Sequence, residues 1–355
     1  MSLAFLHAHD CTEPHTDAIW GLQWTPSDTV ISISADGSIK QHLSATGQPY
    51  PPNLPFPAAH SLAQVSLSVS PDGKRALYNS IEGLTRLWNL ETGEVVGSFE
   101  SYASGRGGKE NGVEPSWSVS LNPLGGTYAS TGSSGNVTIH SAQIDNFGER
   151  QATLPSGRNK FGMFCSYVAC CFSLSLEYRS PDGKHIALST ENGQIFVFDT
   201  ETNALAFTFT SHAMSVRSLA WSSDSTLLLS ASEDKRLVLH DVRSAPGGAV
   251  ASFSGHTSWV LSADISHDGR LGLSGSADKT IKVWDIAARA CVSTVQDTSE
   301  VWAVSWRPKG SSTSGSAAAG ANGAANGAGA GTGAGAFVSG GEDGVVKWWR
   351  GAGGA

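Results

Sequence analysis

The stretch Asp278-Lys279-Thr280-Ile281-Lys282-Val283-Trp284 joins a polar turn to an alternating strand that ends on an aromatic residue six positions after the aspartate. The same shape recurs from Asp36 to His42, Glu82 to Trp88, Ser134 to His140, Asn192 to Phe198, Asp234 to His240 and Asp343 to Trp349, which makes seven copies. A period near 40 to 45 residues marks stacked supersecondary units. The intervals between first positions are 46, 52, 58, 42, 44 and 65 residues, so the fourth and seventh units carry insertions.

Within a unit, an apolar run leads into a turn such as Ser70-Pro71-Asp72-Gly73 or Ser180-Pro181-Asp182-Gly183. Proline presets φ there and glycine accepts a positive φ. A second strand runs to the acidic turn, the alternating strand is third, and a fourth follows, as in Cys291-Val292-Ser293-Thr294-Val295. Four short antiparallel strands make one propeller blade, so the repeat predicts an all-β, seven-bladed β-propeller over residues 1–355 as a single domain. The last copy stops at a third strand, Val346-Lys347-Trp348-Trp349-Arg350, whereas apolar Leu3-Ala4-Phe5-Leu6 precedes the first copy. The N-terminal segment is therefore expected to complete the last blade and leave the ring without a free edge.

Both insertions are visible. Residues 311–336 form a Gly/Ala/Ser/Asn tract without apolar periodicity, expected to be a disordered loop in the seventh repeat. Residues 165–177 form an apolar insertion in the fourth repeat, with Cys165, Tyr167, Val168, Cys170, Cys171, Phe172, Leu174 and Leu176, an unusual load for a surface excursion.

The formal net charge of −8 offers no broad attraction for phosphate backbones or anionic membranes, so neither direct nucleic-acid nor membrane binding is expected. Residues Met1 to His7 lack the basic region and apolar run of a signal peptide, and no later stretch has the apolar length of a membrane span. The five cysteines show no CxxC spacing and resemble neither a disulfide framework nor a zinc site, which points to a soluble protein of a reducing, intracellular compartment. His7, His9 and His15 are irregularly spaced and lack Cys or Glu partners, so no metal site is expected. Without a GxGxxG opening a helix or a GxxxxGK[ST] loop, no nucleotide or other cofactor is expected.

Gly255-His256, Asp278 and Trp284-Asp285 together resemble a complete WD-repeat signature. That resemblance implies a structural tetrad in which His256, a strand hydroxyl (Ser274 or Ser276), Asp278 and Trp284 are joined by hydrogen bonds. The fifth repeat keeps His212 and Asp234 but has His240 at the tryptophan position, and the third has neither Asp nor Trp. These His and Asp residues resemble catalytic pairs, yet blade stapling accounts for them, and no enzyme is expected.

A narrower likeness rests on Ala8-His9-Asp10, Asp17-Ala18-Ile19-Trp20, His212-Ala213-Met214-Ser215-Val216-Arg217-Ser218-Leu219, Gly255-His256-Thr257-Ser258-Trp259-Val260-Leu261, and Ile281 to Asp285 with Ala290-Cys291-Val292. These segments resemble the WD-repeat subunits of the superkiller complex, and Val346 to Arg350 followed by Gly351-Ala352-Gly353-Gly354 resembles the fungal members. The resemblance implies a structural subunit of the complex that feeds mRNA to the cytoplasmic exosome for 3′-to-5′ decay. Its partners would be a helical-repeat (TPR) subunit and an RNA helicase. It also implies membership of the RNA-polymerase-associated elongation complex or of meiotic recombination machinery, and a cytoplasmic and nuclear location.

Aligning the repeats on their first strands sets Trp20, Val65, Trp117, Arg217, Leu261 and Trp302 at one position, with Phe161 or Phe164 near it in the fourth repeat. A side chain there should ring the channel mouth, and Trp and Arg are types enriched in binding hot spots. Trp20, Trp117, Arg217 and Trp302, extended by Trp259, are therefore the candidate partner-binding residues. The competing expectation is that these tryptophans only fill blade-to-blade packing. An unpaired Arg217 would be rejected by a fully buried packing site, which favours the mouth.

A second function class comes from His240-Asp241-Val242-Arg243, which is similar to the WDxR box of substrate receptors of cullin-type ubiquitin ligases, with His240 replacing Trp. A propeller hydrolase would need converging carboxylates or a metal set in the channel, where the aligned positions offer Trp, Val, Leu and Arg.

Overall fold

The computed structural model describes residues 3–51, 56–60, 62–101, 116–132, 135–156, 176–243, 248–309 and 335–352. The chain forms a seven-bladed, all-β propeller, with six four-stranded sheets and one of three strands. A single 3-10 turn at Ile144–Asn146 is the helical element among the described residues. The innermost strands are Ile19–Trp24, Gln64–Val69, Ser118–Leu121, Leu176–Arg179, Val216–Trp221, Val260–Ile265 and Val301–Trp306, in blades 1 to 7. Each packs against the next around the ring, and the last meets the first.

The aromatic or histidine residue that ends each repeat motif falls on a third strand, and all seven are buried. Burial gathers between neighbouring blades: Ala220, Leu229 and Leu239 of blade 5 pack with Val260, Ile265 and Trp284 of blade 6. The core therefore lies in the seams and leaves a channel along the axis.

The seams are also hydrogen-bonded. Ser305 Oγ accepts the Trp24 N–H at 3.1 Å, Gln23 Oε1 that of Val69 at 3.1 Å, and Ser68 Oγ that of Leu121 at 3.0 Å. Asp264 Oδ2 does the same for Trp306 at 2.7 Å. An innermost strand has no neighbour on its channel side, so a side chain from the preceding blade satisfies its backbone donor.

Phe5–Asp10 pairs antiparallel with Lys347–Gly351 and completes blade 7, so the N-terminal segment closes the ring. Phe5 inserts 5.0 Å from Phe337 and 6.1 Å from Trp306, ring centre to ring centre. Because side chains alternate across a strand, its neighbour Leu6 points outward and is 51% exposed despite the apolar run.

Blade 1 departs from the four-strand expectation. Its third strand, Ile39–Leu43, is covered by an irregular segment through Leu43 N–H to Gln48 O at 2.8 Å and Tyr50 N–H to Gln41 O at 2.9 Å. Pro49 and Pro51 have no N–H to continue a ladder there.

Two expected boundaries are corrected. Leu176 and Glu177, assigned to the apolar insertion, open the innermost strand of blade 4, pairing with Leu188 and Ala187. Ala336, assigned to the Gly/Ala tract, begins the strand Ala336–Gly341 opposite Arg350. Residues 165–175 and 311–334 lie outside the described residues, as do Ser134, Phe161 and Phe164.

Candidate functional site

The mouth position has a common structural cause. In six blades the register between the first and second strands slips by one residue; in five of them the skipped residue is Trp20, Val65, Arg217, Leu261 or Trp302, and in blade 4 it is Tyr178, further along the strand. Such a bulge leaves its extra residue out of the ladder and re-aims the side chain. Trp117 immediately precedes its strand, donating its N–H to Thr131 O at 2.7 Å.

All six residues, with Trp259, line one channel cavity of about 450 Å³. Trp20 and Trp302 stack across the seam between blades 1 and 7, with centroids 6.3 Å apart. Trp302 Nε1 donates to Glu300 Oε2 at 3.2 Å. Gly341 lets that acid sit close: a Cβ there would lie 1.8 Å from the Glu300 carbonyl oxygen.

The Arg217 guanidinium lies 6.0 Å from the centre of the Trp259 ring. Its Nε donates to Glu233 Oε1 at 2.7 Å, and Nη2 meets the same carboxylate. Arg217 is thus paired, and the expectation of an unpaired guanidinium is corrected. Partial exposure, not a missing partner, is what distinguishes this position from a packing site. Of the 11 tryptophans, seven are buried, and the remaining four are Trp20, Trp117, Trp259 and Trp302. Every indole left with exposed surface therefore lies at the mouth.

Sequence reasoning missed Glu233 and Glu300, the two carboxylates that position mouth residues. Glu233 directly precedes Asp234 on a turn, and Glu300 is two residues before Trp302. Only the fold brings the turn acid onto the bulge.

The tetrad residues of blade 6 meet through hydrogen bonds. His256 Nδ1 is 2.9 Å from Asp278 Oδ2, and its Nε2 is 2.8 Å from Ser274 Oγ, which also accepts Trp284 Nε1–H at 2.8 Å. The strand hydroxyl is Ser274; Ser276 instead donates to Trp259 O at 2.7 Å. Burial alone would push the Asp278 carboxyl up, but Thr280, the Thr257 N–H and His256 hold it down at about 2. In blade 5, His212 bridges Asp234 at 2.9 Å and Ser230 at 2.7 Å, while His240 reaches Ser230 at 3.2 Å in place of the indole.

His15, grouped in the sequence with His7 and His9, belongs to the same design in blade 1, 2.7 Å from both Ser32 and Ser38 and 3.6 Å from Asp36. Blade 7 substitutes charge: Lys347 Nζ binds Asp343 at 2.6 Å and also Asp297, which stands where His256 stands in blade 6. In the WDxR-like segment His240 is buried, and exposed Arg243 pairs with Asp241 at 2.8 Å. Among the described residues, no group of three or more His, Cys, Asp or Glu could hold a metal ion. No helix among them is long and apolar enough to cross a membrane.

Seven blades, tetrad staples and an aromatic channel mouth define a propeller of the scaffold type. The family model described as WD domain, G-beta repeat matches residues 6–42, 203–241 and 247–285. The meiotic recombination protein rec14 of Schizosaccharomyces pombe is 33% identical over 233 residues, covering 65% of this chain and 68% of that protein. The chain belongs to the WD-repeat family. It is also similar to the WD repeat-containing protein SL1-17 of Schistosoma mansoni, 27% identical with 52% of each chain covered. The WD repeat-containing protein VIP3 of Arabidopsis thaliana is 29% identical, with 59% of this chain and 61% of that protein covered. The matched regions thus span from about half to two thirds of these relatives.

Proposed function

We propose that the protein is a non-catalytic scaffold whose channel mouth holds short segments of partner proteins, with Trp20, Trp117, Arg217, Trp259 and Trp302 as the contact residues. The observation that carries this is the placement of every part-exposed tryptophan on one cavity. Indoles left in contact with water at a concave site supply the apolar area from which hot spots are made, while Arg217 and the nearby carboxylates fix register.

The assembly we infer is the superkiller complex, with a helical-repeat subunit and an RNA helicase as partners, acting in exosome-mediated mRNA decay in cytoplasm and nucleus. This reading rests on the quoted sequence likeness. The likeness to rec14 favours a second reading, a place in meiotic recombination machinery, because meiotic recombination is in that protein's name. Mass spectrometry of what co-purifies with the tagged chain separates them. A helicase with a helical-repeat protein supports the first, recombination proteins support the second, and a cullin adaptor would replace both by a ubiquitin-ligase receptor.

A further inference from the structure

Three residues below the mouth position, the innermost strands present Gln23, Ser68, Ser120, Ala220, Asp264 and Ser305 at one equivalent level. Asp264 is the ionisable member of this set. Its Oδ2 accepts the Trp306 N–H at 2.7 Å and its Oδ1 the Ile265 N–H at 2.8 Å. The seam does not require a charge for this, since Ser305, Gln23 and Ser68 hold the corresponding N–H groups of their seams with neutral oxygens. Among the described residues no Lys, Arg or His forms an ion pair with Asp264, and enclosure by the ring pushes its carboxyl up to about 6. A serine would thus serve the seam without the cost of an enclosed charge.

The same carboxyl is part-exposed and lines the cavity that opens at the tryptophans. Three strand residues separate its level from the mouth, a depth of about 10 Å. Among the described residues the wall between combines the hydroxyls of Ser66, Ser118, Ser218 and Ser262 with the apolar side chains of Leu22, Leu67, Val119, Ala263 and Val304. Among the described residues the cavity is lined by one cation, Arg217, which Glu233 pairs, and by the carboxylates Glu300 and Asp264, a balance that does not oppose entry of a cation.

We propose that Asp264 is the base of a second binding subsite, deep in the channel, for a primary alkylammonium group that enters through the tryptophan mouth. An alkyl stem can lie against the apolar side chains of that wall, and an ammonium supplies the charge that Asp264 lacks. Each carboxylate oxygen already accepts one N–H, so a planar guanidinium would have to meet the remaining lone pairs of both oxygens at once. A compact ammonium with rotatable donors has no such requirement. The shared chemistry fits either a free polyamine or a lysine side chain of a bound protein segment.

The test is calorimetric titration of the full chain with n-butylammonium chloride, against sodium chloride at equal ionic strength. Asp264→Ser is the matched variant, because serine holds the same seam position in blades 2 and 7 and should keep the fold, checked by thermal melting. We expect saturable binding to the wild type and at least tenfold weaker binding to Asp264→Ser. Absence of binding beyond the salt control, or equal affinity in the variant, would overturn the subsite. Tighter Asp264-dependent binding of n-butylguanidinium would overturn the ammonium assignment. Displacement of the probe by spermidine points to a free polyamine, and displacement by a lysine peptide but not its norleucine analogue points to a protein segment; failure of both would overturn the proposal. Because the probe needs no partner protein, this outcome is independent of the scaffold reading.

Discussion

Trp20 and Trp302 come from opposite ends of the chain and stack at 6.3 Å, with 25° between their ring planes, across the seam where the propeller closes. The pair forms one continuous aromatic wall on the mouth. Neither ring is buried, so its removal should act on binding more than on folding. Trp302→Ala or Trp117→Ala is expected to weaken partner capture by on the order of 2 kcal/mol, about thirtyfold. Parallel thermal melts check the packing alternative, which requires a large fall in stability instead.

Arg217→Glu would set two carboxylates side by side at Glu233 and so disturb the mouth through repulsion as well as through lost contact. The exchange Arg217→Glu with Glu233→Arg keeps the ion pair and reverses its direction. Full partner binding by Arg217→Glu would remove this face from consideration. If the exchange restores folding but not binding, the guanidinium itself is recognised.

The tetrad hydroxyl can be tested inside one blade. Ser274→Ala leaves His256 Nε2 and Trp284 Nε1 buried without their shared partner and should cost about 2–4 kcal/mol. Ser276→Ala loses its bond to the Trp259 carbonyl and an acceptor for the Asp278 N–H, a cost of about 1–2 kcal/mol. Urea unfolding of both variants should rank them in that order.

Ring closure rests on one side chain more than its neighbour. Phe5→Ala should destabilise by about 3–4 kcal/mol, because the ring sits between Phe337 and Trp306, while exposed Leu6→Ala should be nearly neutral. Deleting residues 1–8 should leave an aggregating or unfolded chain. A soluble, equally heat-stable truncation would contradict closure by Phe5–Asp10.

Burial lowers the ring pKa of His15 and His42 to about 4 and that of His240 to about 3, so each is neutral in the fold. Their unfolded counterparts bind protons first, near 6.5, so their contribution is full above that value and is lost as pH falls toward 4 and 3. Asp264 has the opposite sign: raised to about 6, it contributes most below 3.8 and its contribution is lost as pH rises through 6. Three histidines against one carboxyl predict a melting temperature that falls from pH 7 to pH 4.5. His240→Phe, matching Phe198 of blade 4, should flatten that acid limb, and Asp264→Ser should steepen it.

The fold was legible because it is written seven times. The spacing from Asp278 to Trp284 recurs around the ring, so local alternation and period specify the blades and their number, while the tetrad residues came from the resemblance to the WD-repeat signature. Alignment of the repeats likewise put Trp20, Trp117, Arg217 and Trp302 on one level, since a repeat that stacks by rotation turns equal sequence positions into equal heights. What the period does not carry is what lies across a seam or opposite a bulge. Glu233 meets Arg217 opposite a bulge of the same repeat, whereas Lys347 with Asp297 and Asp264 under Trp306 are contacts between segments distant in sequence. Phe5 rather than Leu6 became the closing side chain because only alternate residues of a strand can face the core, and pairing with Lys347–Gly351 chose the register.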